Sequence, residues 1–380
     1  MKSKIVTPST LRFPDFNGDW EVKNLGVVCD IETGSRDTKD AEKDAKYPFF
    51  VRSDSVKTIN SYSKNCEAIL TSGDGVGVGK NFHYLNGPFD FHQRVYCLDN
   101  FKKGYLGSYI FQYFRENFFR RVQRLSAKNS VDSVRMDMIS MMNVPFPDES
   151  EQQKIADFLS TVDRKICLLK EKHTLLTQYK KGVMQKLFEQ EICFKDDNGN
   201  NFPDWQREPI GKYLQEYKER VSVDTDIPIL TSSRTGLYPQ ERAVINEGEY
   251  GVVPKGYFTY RHMSDDLVFK FNINLTWERG AVSKEYPVFK TVGMNSYFLE
   301  LCLNEGNDFK RFAIQQKVGG TRTRLYFKNL VKLKLNTPSL EEQNKIAEFL
   351  QCIDKKINAV KVQVELTQTF KKGLLQQMFV

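Results

Sequence analysis

The 380-residue sequence lacks the cysteine patterns of a disulfide framework or a zinc site. Its seven cysteines stand singly, with no CxxC pair and an odd total. No apolar run approaches the ~20 residues needed to span a bilayer, and the first residues, MKSKIVTPSTL, lack the apolar core of a signal peptide. A reducing cytoplasm is therefore the expected location.

Catalytic motifs are missing as well. No HExxH motif and no D/N-P-P-F/Y signature of amino-methyltransferases is found. The histidines are scattered along the chain, at His83, His92, His173 and His262. The sequence therefore gives no support for catalysis by this chain.

A glycine-rich segment, GDGVGVGK at residues 73–80, departs from the phosphate-binding loop G-x-x-x-x-G-K-[ST]. Asp74 stands where the first glycine belongs, and Asn81 follows Lys80 in place of Ser or Thr. A turn, or a loop that contacts DNA, fits this segment better than a nucleotide site, because glycine permits close approach of the backbone to a ligand.

Two Pro-Asp turns, Pro14-Asp15 and Pro203-Asp204, are each followed by an acidic residue and a lysine, a pattern that superficially resembles a metal-nuclease motif. The spacers differ between the two copies, and each Pro-Asp lies in a repeated turn, so a structural role is favoured. We expect this chain to bind neither a metal nor a cofactor.

The charge balance is mildly basic. Lys and Arg number 56 against 48 Asp and Glu, a net charge of +8. This excess is compatible with a polyanionic partner such as nucleic acid but does not by itself establish one.

One long segment occurs twice. Residues 151–188, EQQKIADFLSTVDRKICLLKEKHTLLTQYKKGVMQKLF, align without a gap with residues 342–379, EQNKIAEFLQCIDKKINAVKVQVELTQTFKKGLLQQMF. Asp148 with Glu151, and Ser339 with Glu342, read as capping boxes that begin two helices. The chain therefore contains an internal repeat built around a long helix.

Apolar residues recur every seven positions in both copies, a period typical of coiled coils. The residues predicted to pack these helices are Ile155, Phe158, Leu159, Val162, Ile166, Leu169, Leu176 and Val183 in the first copy, and Ile346, Phe349, Leu350, Ile353, Ile357, Val360, Val364 and Leu374 in the second.

The segments around the helices predict an α+β protein with two mixed α/β domains and a pseudo-two-fold internal repeat. Short apolar and aromatic runs separated by Gly, Asn and Asp indicate strands in both domains. The predicted boundaries are a repeat-start segment at 1–20, a first mixed domain at 21–147, a central helix at 148–190, a second mixed domain at 191–338 and a C-terminal helix at 339–380.

Helix length favours antiparallel packing of the two long helices. About 40 residues at 1.5 Å each make a rod of ~60 Å, and parallel packing would require the second domain to carry the chain back over that whole length. A compact domain of this size does not span that distance. Two divergent domains held apart by a symmetric spacer suit the reading of two targets on duplex DNA.

The repeated motif S/D-x-x-E-Q-x-K-I-A-x-F-L, with its continuation D-x-K-I, resembles the specificity subunits of type I restriction-modification systems. The resemblance covers essentially the whole chain. It implies that the two mixed domains are target-recognition domains, each reading half of a split DNA sequence, and that the helices form an antiparallel coiled-coil spacer. It also implies a non-catalytic subunit that binds double-stranded DNA, docks two methylation subunits and recruits restriction subunits. S-adenosylmethionine, ATP and Mg are then expected on those partner subunits.

Basic and aromatic residues near the ends of the two domains are the predicted DNA contacts, since arginine offers a bidentate fork to guanine and phosphates. In the first domain they are Ser72, Lys80, Arg120, Arg121, Arg124 and Lys128; in the second they are Arg234, Tyr257, Tyr260, Arg261, Lys317, Arg322 and Arg324.

Two other interpretations stay open at this point. The chain could be a self-contained nuclease or methyltransferase with a coiled-coil dimerisation element. It could also be a coiled-coil adaptor that does not touch DNA.

Overall fold

The computed structural model describes residues 4–6, 11–126, 133–222, 224–240, 248–317 and 322–379. The chain divides into two compact units. The first comprises Met1–Lys172 with Val360–Val380, and the second comprises His173–Ala359. Each unit therefore contains a portion of both long helices, whereas the predicted boundaries treat the helices as separate from the mixed domains.

The first unit begins with strands and ends in a long helix. Its strands are β1 (Lys4–Val6), β2 (Trp20–Asn24), β3 (Asp30–Thr33), β4 (Tyr47–Phe50), β5 (Lys57–Ile59), β6 (Lys64–Ser72), β7 (Phe82–Phe91), β8 (Val95–Asp99) and β9 (Asn143–Phe146). Its helices are α1 (Leu25–Val28), α2 (Gly107–Leu125), α3 (Met136–Ser140), the first part of α4 (Glu149–Phe188) and the last part of α8 (Leu340–Met378).

A six-stranded sheet with the order β3-β8-β6-β7-β4-β5 forms the body of the first unit. Side chains alternate between its two faces, as strand geometry requires. Ile69 and Leu98 pack with the apolar side of α2, whereas Leu70 and Cys97 pack with a second cluster around Phe89. The sheet therefore separates two hydrophobic clusters.

The second unit is also mixed. Its strands are β10 (Gln206–Pro209), β11 (Leu214–Tyr217), β12 (Arg220–Ser222), β13 (Leu230–Ser233), β14 (Gly236–Pro239), β15 (Glu249–Pro254), β16 (Phe258–Tyr260), β17 (Met263–Ser264), β18 (Phe271–Ile273), β19 (Arg279–Ser283), β20 (Val288–Thr291), β21 (Thr323–Arg324) and β22 (Lys334–Thr337). Its helices are the last part of α4, α5 (Ser296–Asn304), α6 (Asn307–Gln315), α7 (Phe327–Leu330) and the first part of α8 (Leu340–Met378). The main sheet has the order β11-β20-β16-β18, and β12-β15-β19 forms a smaller one.

A shared frame recurs in the two units. β2 pairs antiparallel with β9 in the first unit, and β10 pairs antiparallel with β22 in the second. Gly26 and Gly211 follow the first strand of each pair at tight contacts, since an added Cβ would lie 2.9 Å from the Cβ of Ser140 or 2.8 Å from the carbonyl oxygen of Val331. The predicted α+β class and internal repeat are confirmed.

The start of each long helix differs in part from the predicted capping box. The side chains of Asp148 and Ser339 accept hydrogen bonds from the amides of Glu151 and Glu342, at 2.8 and 3.2 Å. The glutamate carboxylates, however, point away from the cap. Glu151 accepts two bonds from the guanidinium of Arg12, and Glu342 accepts one from the indole of Trp205.

An aspartate–lysine pair joins the two long helices inside each unit. In the first unit the ammonium of Lys371 lies 2.6 Å from both carboxylate oxygens of Asp163. In the second unit Lys180 contacts Asp354 at 2.6 and 2.7 Å. These residues are equivalent in the internal repeat, so one motif makes the same helix–helix contact twice.

The first unit also shows the helix direction. Arg12 binds Glu151 at the start of α4, while the amide of the neighbouring Leu11 donates to the carbonyl of Gln377 at the end of α8. Twelve residues further along α4, Asp163 meets Lys371, which precedes Gln377 in sequence. The two helices run antiparallel there.

Candidate nucleic-acid interface

A cluster of arginines forms in the second unit where β17 pairs with β21. This pairing places Met263 opposite Arg324. Arg234 and Arg261 line a small cavity of about 90 Å³ together with Met263. The structure thus gathers arginines from three distant stretches of sequence.

Two aspartates lie within this cluster and pair with its arginines. Asp266 accepts a hydrogen bond from Nη2 of Arg234 at 2.7 Å, and Asp265 accepts one from Nε of Arg322 at 2.9 Å. The hydroxyl of Ser264 also donates to Asp266. The Ser264 hydrogen bond, and after it the one from Arg234, lowers the pKa of Asp266, because both donors stabilise the ionised carboxylate.

A buried asparagine supports the loop that carries Arg234. The side-chain amide of Asn272, 4% exposed, donates at 2.9 Å to the carbonyl of Ser233 and at 2.9 Å to the hydroxyl of Ser232. The turn between β13 and β14 is therefore held from beneath, while the side chain of Arg234 extends to the surface.

The first unit contains a matching arrangement around Arg52, in the loop after β4. The side-chain amide of Asn81, 8% exposed, donates to the carbonyl of Arg52 at 3.0 Å. Nη1 of Arg52 donates to Asp74 at 3.2 Å, and Arg94 approaches the same carboxylate at 3.8 Å. We call Arg52 and Arg234 the loop arginines, and Asp74 and Asp266 the loop aspartates.

The same backbone contact anchors this region in both units. The amide of Val134 donates to the carbonyl of Gly73 at 2.7 Å, and the amide of Leu325 donates to the carbonyl of His262 at 2.8 Å. Val134 and Leu325 are equivalent in the internal repeat. The segments that carry the loop aspartates, residues 73–74 and 262–266, are therefore each tied to an equivalent position of the repeat.

A second basic surface lies on α2 in the first unit. Arg120, Arg121 and Arg124 line an open groove of about 840 Å³. Nε of Arg121 donates to the carbonyl of Met138 at 2.7 Å, and burial, with Arg124 nearby, lowers the pKa of this guanidinium. Arg120 and Arg124 are exposed, and Arg120 approaches the carboxylate of Glu116 only at 3.8 Å, so both guanidiniums can reach a ligand.

Two predicted DNA contacts are buried and cannot meet DNA directly. Tyr260 is fully buried, and its hydroxyl donates to the carbonyl of Leu325 at 3.1 Å. Ser72 is 2% exposed and donates to the carbonyl of Arg52 at 3.1 Å. Both were wrong as direct contacts because they lie in strand segments that are buried on both faces: all three residues of β16 and the last five residues of β6 are buried.

The other predicted contacts differ in their surroundings. Lys80 is exposed, with its ammonium 5.8 Å from the ring of Phe119. Tyr257 is half-buried against Tyr217. Arg261, Lys317, Arg322 and Arg324 are exposed. Lys128 lies outside the described residues, and the predicted DNA-binding roles stay predictions.

Every residue predicted to pack the long helices is buried or half-buried. The half-buried ones are Phe158, Leu169, Leu176, Val183, Phe349, Ile357 and Val364, and the others are buried. The heptad pattern thus marks the inward side of both helices.

Arg52 and Arg94 were missed by the sequence reasoning. They come from separate stretches, and neither lies in a basic cluster or a recognisable motif. Only the glycine-rich segment that holds Asp74 drew attention to this region. Proximity created by sheet pairing leaves no local signal in the sequence.

The described part of the chain contains no grouping of three or more His, Cys, Asp or Glu side chains able to hold a metal ion. None of the helices within the described ranges has an apolar stretch long enough to cross a lipid bilayer.

Solved structures with the same fold support this organisation. The chain matches the S subunit of a type I restriction-modification system from M. genitalium with a TM-score of 0.67 and 14% identity, covering 99% of each chain. It also matches a chain of a type I R-M system solved to explain complex assembly and conformational transition, with a TM-score of 0.52, 13% identity and coverage of 95% of this chain and 96% of that one.

Sequence relatives agree with the fold. The EcoDI specificity subunit of Escherichia coli is 26% identical over 189 residues, which is 49% of this chain and 41% of that relative, so the match spans under half of the relative's length. The MjaVIII specificity subunit of Methanocaldococcus jannaschii is 24% identical over an alignment covering 96% of this chain and 92% of that one.

The fold defines a class of duplicated α+β proteins in which each unit combines a mixed domain with parts of two long helices. The profile described as "Type I restriction modification DNA specificity domain" matches residues 17–178 and 283–368, more than half of the chain. The chain belongs to this family of type I restriction-modification DNA specificity domains.

Proposed function

We propose that this chain is the sequence-recognition subunit of a type I restriction-modification complex, with each unit reading one half of a bipartite DNA target. The observation that carries the proposal is the recurrence of an arginine on an asparagine-supported loop in both units. Two divergent sequences that present the same functional group fit the reading of two different half-sites. Arginine is the side chain best suited to bidentate contact with guanine in the major groove.

The long helices are proposed to set the spacing of the half-sites and to dock methylation subunits. Leu175 and Tyr179 on α4, and their equivalents Leu366 and Phe370 on α8, are large apolar side chains that are each more than half exposed. Exposed apolar surface that recurs in this way is typical of a protein contact. Its duplication fits two copies of one partner.

The chain itself is proposed to be non-catalytic and cytoplasmic. Methyl transfer from S-adenosylmethionine, and ATP- and Mg-dependent cleavage by restriction subunits, would belong to the partners. Purified alone, the chain should therefore neither methylate nor cut DNA. Robust activity of either kind without partners would refute this part of the proposal and favour a self-contained enzyme.

DNA contact can be tested with the double variant Arg322→Ala, Arg324→Ala. We expect binding to a duplex to weaken, and the slope of log affinity against log salt to fall by about one for each lost phosphate contact. Lys255→Ala is the matched control, because Lys255 is an exposed cation of the same unit that pairs with Glu278. Unchanged binding of the double variant at every salt concentration would contradict a role for this cluster.

The bipartite target can be tested by mapping methylated positions across the genome of a host with and without this chain. The expected result is a split recognition sequence that appears only when the chain is present. No sequence-specific change in methylation, with all partner subunits supplied, would refute the proposed function.

A further inference from the structure

The loop aspartates contribute little to the stability of the fold. The side chain of Asp266 is 49% exposed and that of its partner Arg234 is 62% exposed, while Asp74 and Arg52 are 23% and 49% exposed. Exposed ion pairs are worth between zero and about 1 kcal/mol. Each carboxylate nevertheless occupies a basic surface that would bind a polyanion more strongly without it.

The geometry of each pair leaves part of the arginine fork available. Asp74 accepts from Nη1 of Arg52, and Asp266 accepts from Nη2 of Arg234. Arginine has five N–H donors, so the remaining ones can still make a bidentate contact. The loop backbone beneath is already fixed by Asn81 or Asn272, so the carboxylate restrains the side-chain torsions that the asparagine does not.

We propose that the loop aspartates, Asp74 and Asp266, are positioning residues that set the base specificity of the loop arginines. This inference rests on the proposed function and adds Arg52 to its DNA contacts. Each carboxylate holds its guanidinium in one orientation, which favours guanine at one place in the major groove. Its negative charge also opposes binding wherever the arginine meets only phosphates.

Two consequences follow for DNA binding. Orientation of a bidentate arginine contributes to discrimination between bases, because a misplaced fork cannot satisfy both guanine acceptors. The negative charge of the aspartate offsets the positive charge of the arginine and so lowers the affinity for unrelated DNA, because attraction to phosphates supplies most of non-specific binding. A loop aspartate therefore raises the ratio of specific to non-specific affinity through both effects.

The test uses the full-length chain with its methylation subunits and a pool of DNA duplexes of random sequence. Bound duplexes are sequenced for the wild type, Asp74→Asn and Asp266→Asn. Each variant should lose about tenfold or more of its discrimination at one or two adjacent base positions, in a different half of the target for each variant. Affinity for an unrelated duplex should rise, with a salt slope steeper by about one.

Matched controls make the same charge change elsewhere. Asp15→Asn removes the partner of Lys154 in the first unit, and Asp308→Asn removes the partner of Arg207 in the second. Both should leave the base preferences unchanged. Asp74→Glu and Asp266→Glu keep the carboxylate and should restore most of the discrimination.

The outcomes separate this inference from the proposed function. If the wild type selects no sequence at all, the proposed function itself fails. If the wild type selects a split sequence and the asparagine variants keep the same preferences at every position, only the inference is overturned. If either variant lost base discrimination in both halves of the DNA target and also had a lower melting temperature, the aspartate would have a structural role instead.

Discussion

The glutamates at equivalent positions of the two long helices should respond differently to the same substitution. Glu151 is fully buried, and its carboxylate accepts hydrogen bonds from Arg12 at 2.6 and 2.7 Å. Glu342 is 3% exposed, and its carboxylate accepts one hydrogen bond, at 3.0 Å, from the neutral indole of Trp205. The repeat has thus kept the carboxylate and changed its partner.

The hydrogen-bond partner of each glutamate sets how much stability its substitution by glutamine removes. Glu151→Gln leaves the largely buried guanidinium of Arg12 without its bidentate counterion. Breaking a fully buried pair costs about 3 to 5 kcal/mol, and since Arg12 is 13% exposed we expect a loss of about 2 to 3 kcal/mol. Glu342→Gln keeps an acceptor for Trp205 and removes a buried charge, so the free energy of unfolding should change by less than about 1 kcal/mol.

The pH dependence of stability also distinguishes the wild type from Glu342→Gln. Burial raises the pKa of Glu342, with the hydrogen bond from Trp205 opposing this effect. A raised pKa in the folded state means that the folded protein holds this proton more tightly than the unfolded chain. The resulting stabilisation is present below the unfolded-state pKa of ~4.3 and is lost as pH rises through the raised folded-state value. Glu342→Gln should remove that dependence.

Urea titrations followed by circular dichroism measure the stability of each variant, and hydrogen exchange read by mass spectrometry assigns the loss to one unit. Glu151→Gln should weaken protection in the first unit, and Glu342→Gln should leave the second nearly unchanged. Equal losses for the two variants, or a larger loss for Glu342→Gln, would refute the reasoning.

Two further predictions concern close packing and helix length. Gly26→Ala and Gly211→Ala should each destabilise the protein by about 1 to 3 kcal/mol because the added methyl group meets a neighbouring atom. Gly182→Ala, in an open helical position, should stabilise it by up to about 1 kcal/mol. Melting temperatures from thermal denaturation test both expectations, and equal effects at all three sites would contradict the packing argument. Deleting residues 168–174 and 359–365 shortens each long helix by ~10 Å and should bring the methylated half-sites about three base pairs closer, so an unchanged spacing would exclude the helices as the ruler.

Much of the fold was accessible from the sequence because its strongest signals are local. The heptad stripe predicted helices that the structure places at Glu149–Phe188 and Leu340–Met378. The structure adds that Gly26 and Gly211 follow the paired strands β2 and β10, where the close contacts of both glycines exclude a side chain. A periodic pattern indicates which face of a helix or strand is buried, so it can be recognised from the sequence alone.

The candidate site was predicted less well. Basic clusters drew attention to Arg322 and Arg324, and the structure brings them to a surface shared with Arg234 and Arg261. Tyr260, predicted as an aromatic DNA contact, is instead fully buried in β16, and its hydroxyl donates to the carbonyl of Leu325. Composition identifies residue types capable of a contact, but the position of a strand in the fold decides whether its side chains are exposed.

The sequence by itself determined the duplication, the two long helices, the apolar residues that pack them and the α+β class, because each depends on a pattern within a few tens of residues. Tertiary structure decided which arginines stand together, that an aspartate lies beside each loop arginine, and that a buried asparagine supports each loop. Those contacts join residues far apart in sequence through hydrogen bonds between strands and loops. No local pattern encodes them, since the pairing of the sheets alone brings their atoms within bonding distance.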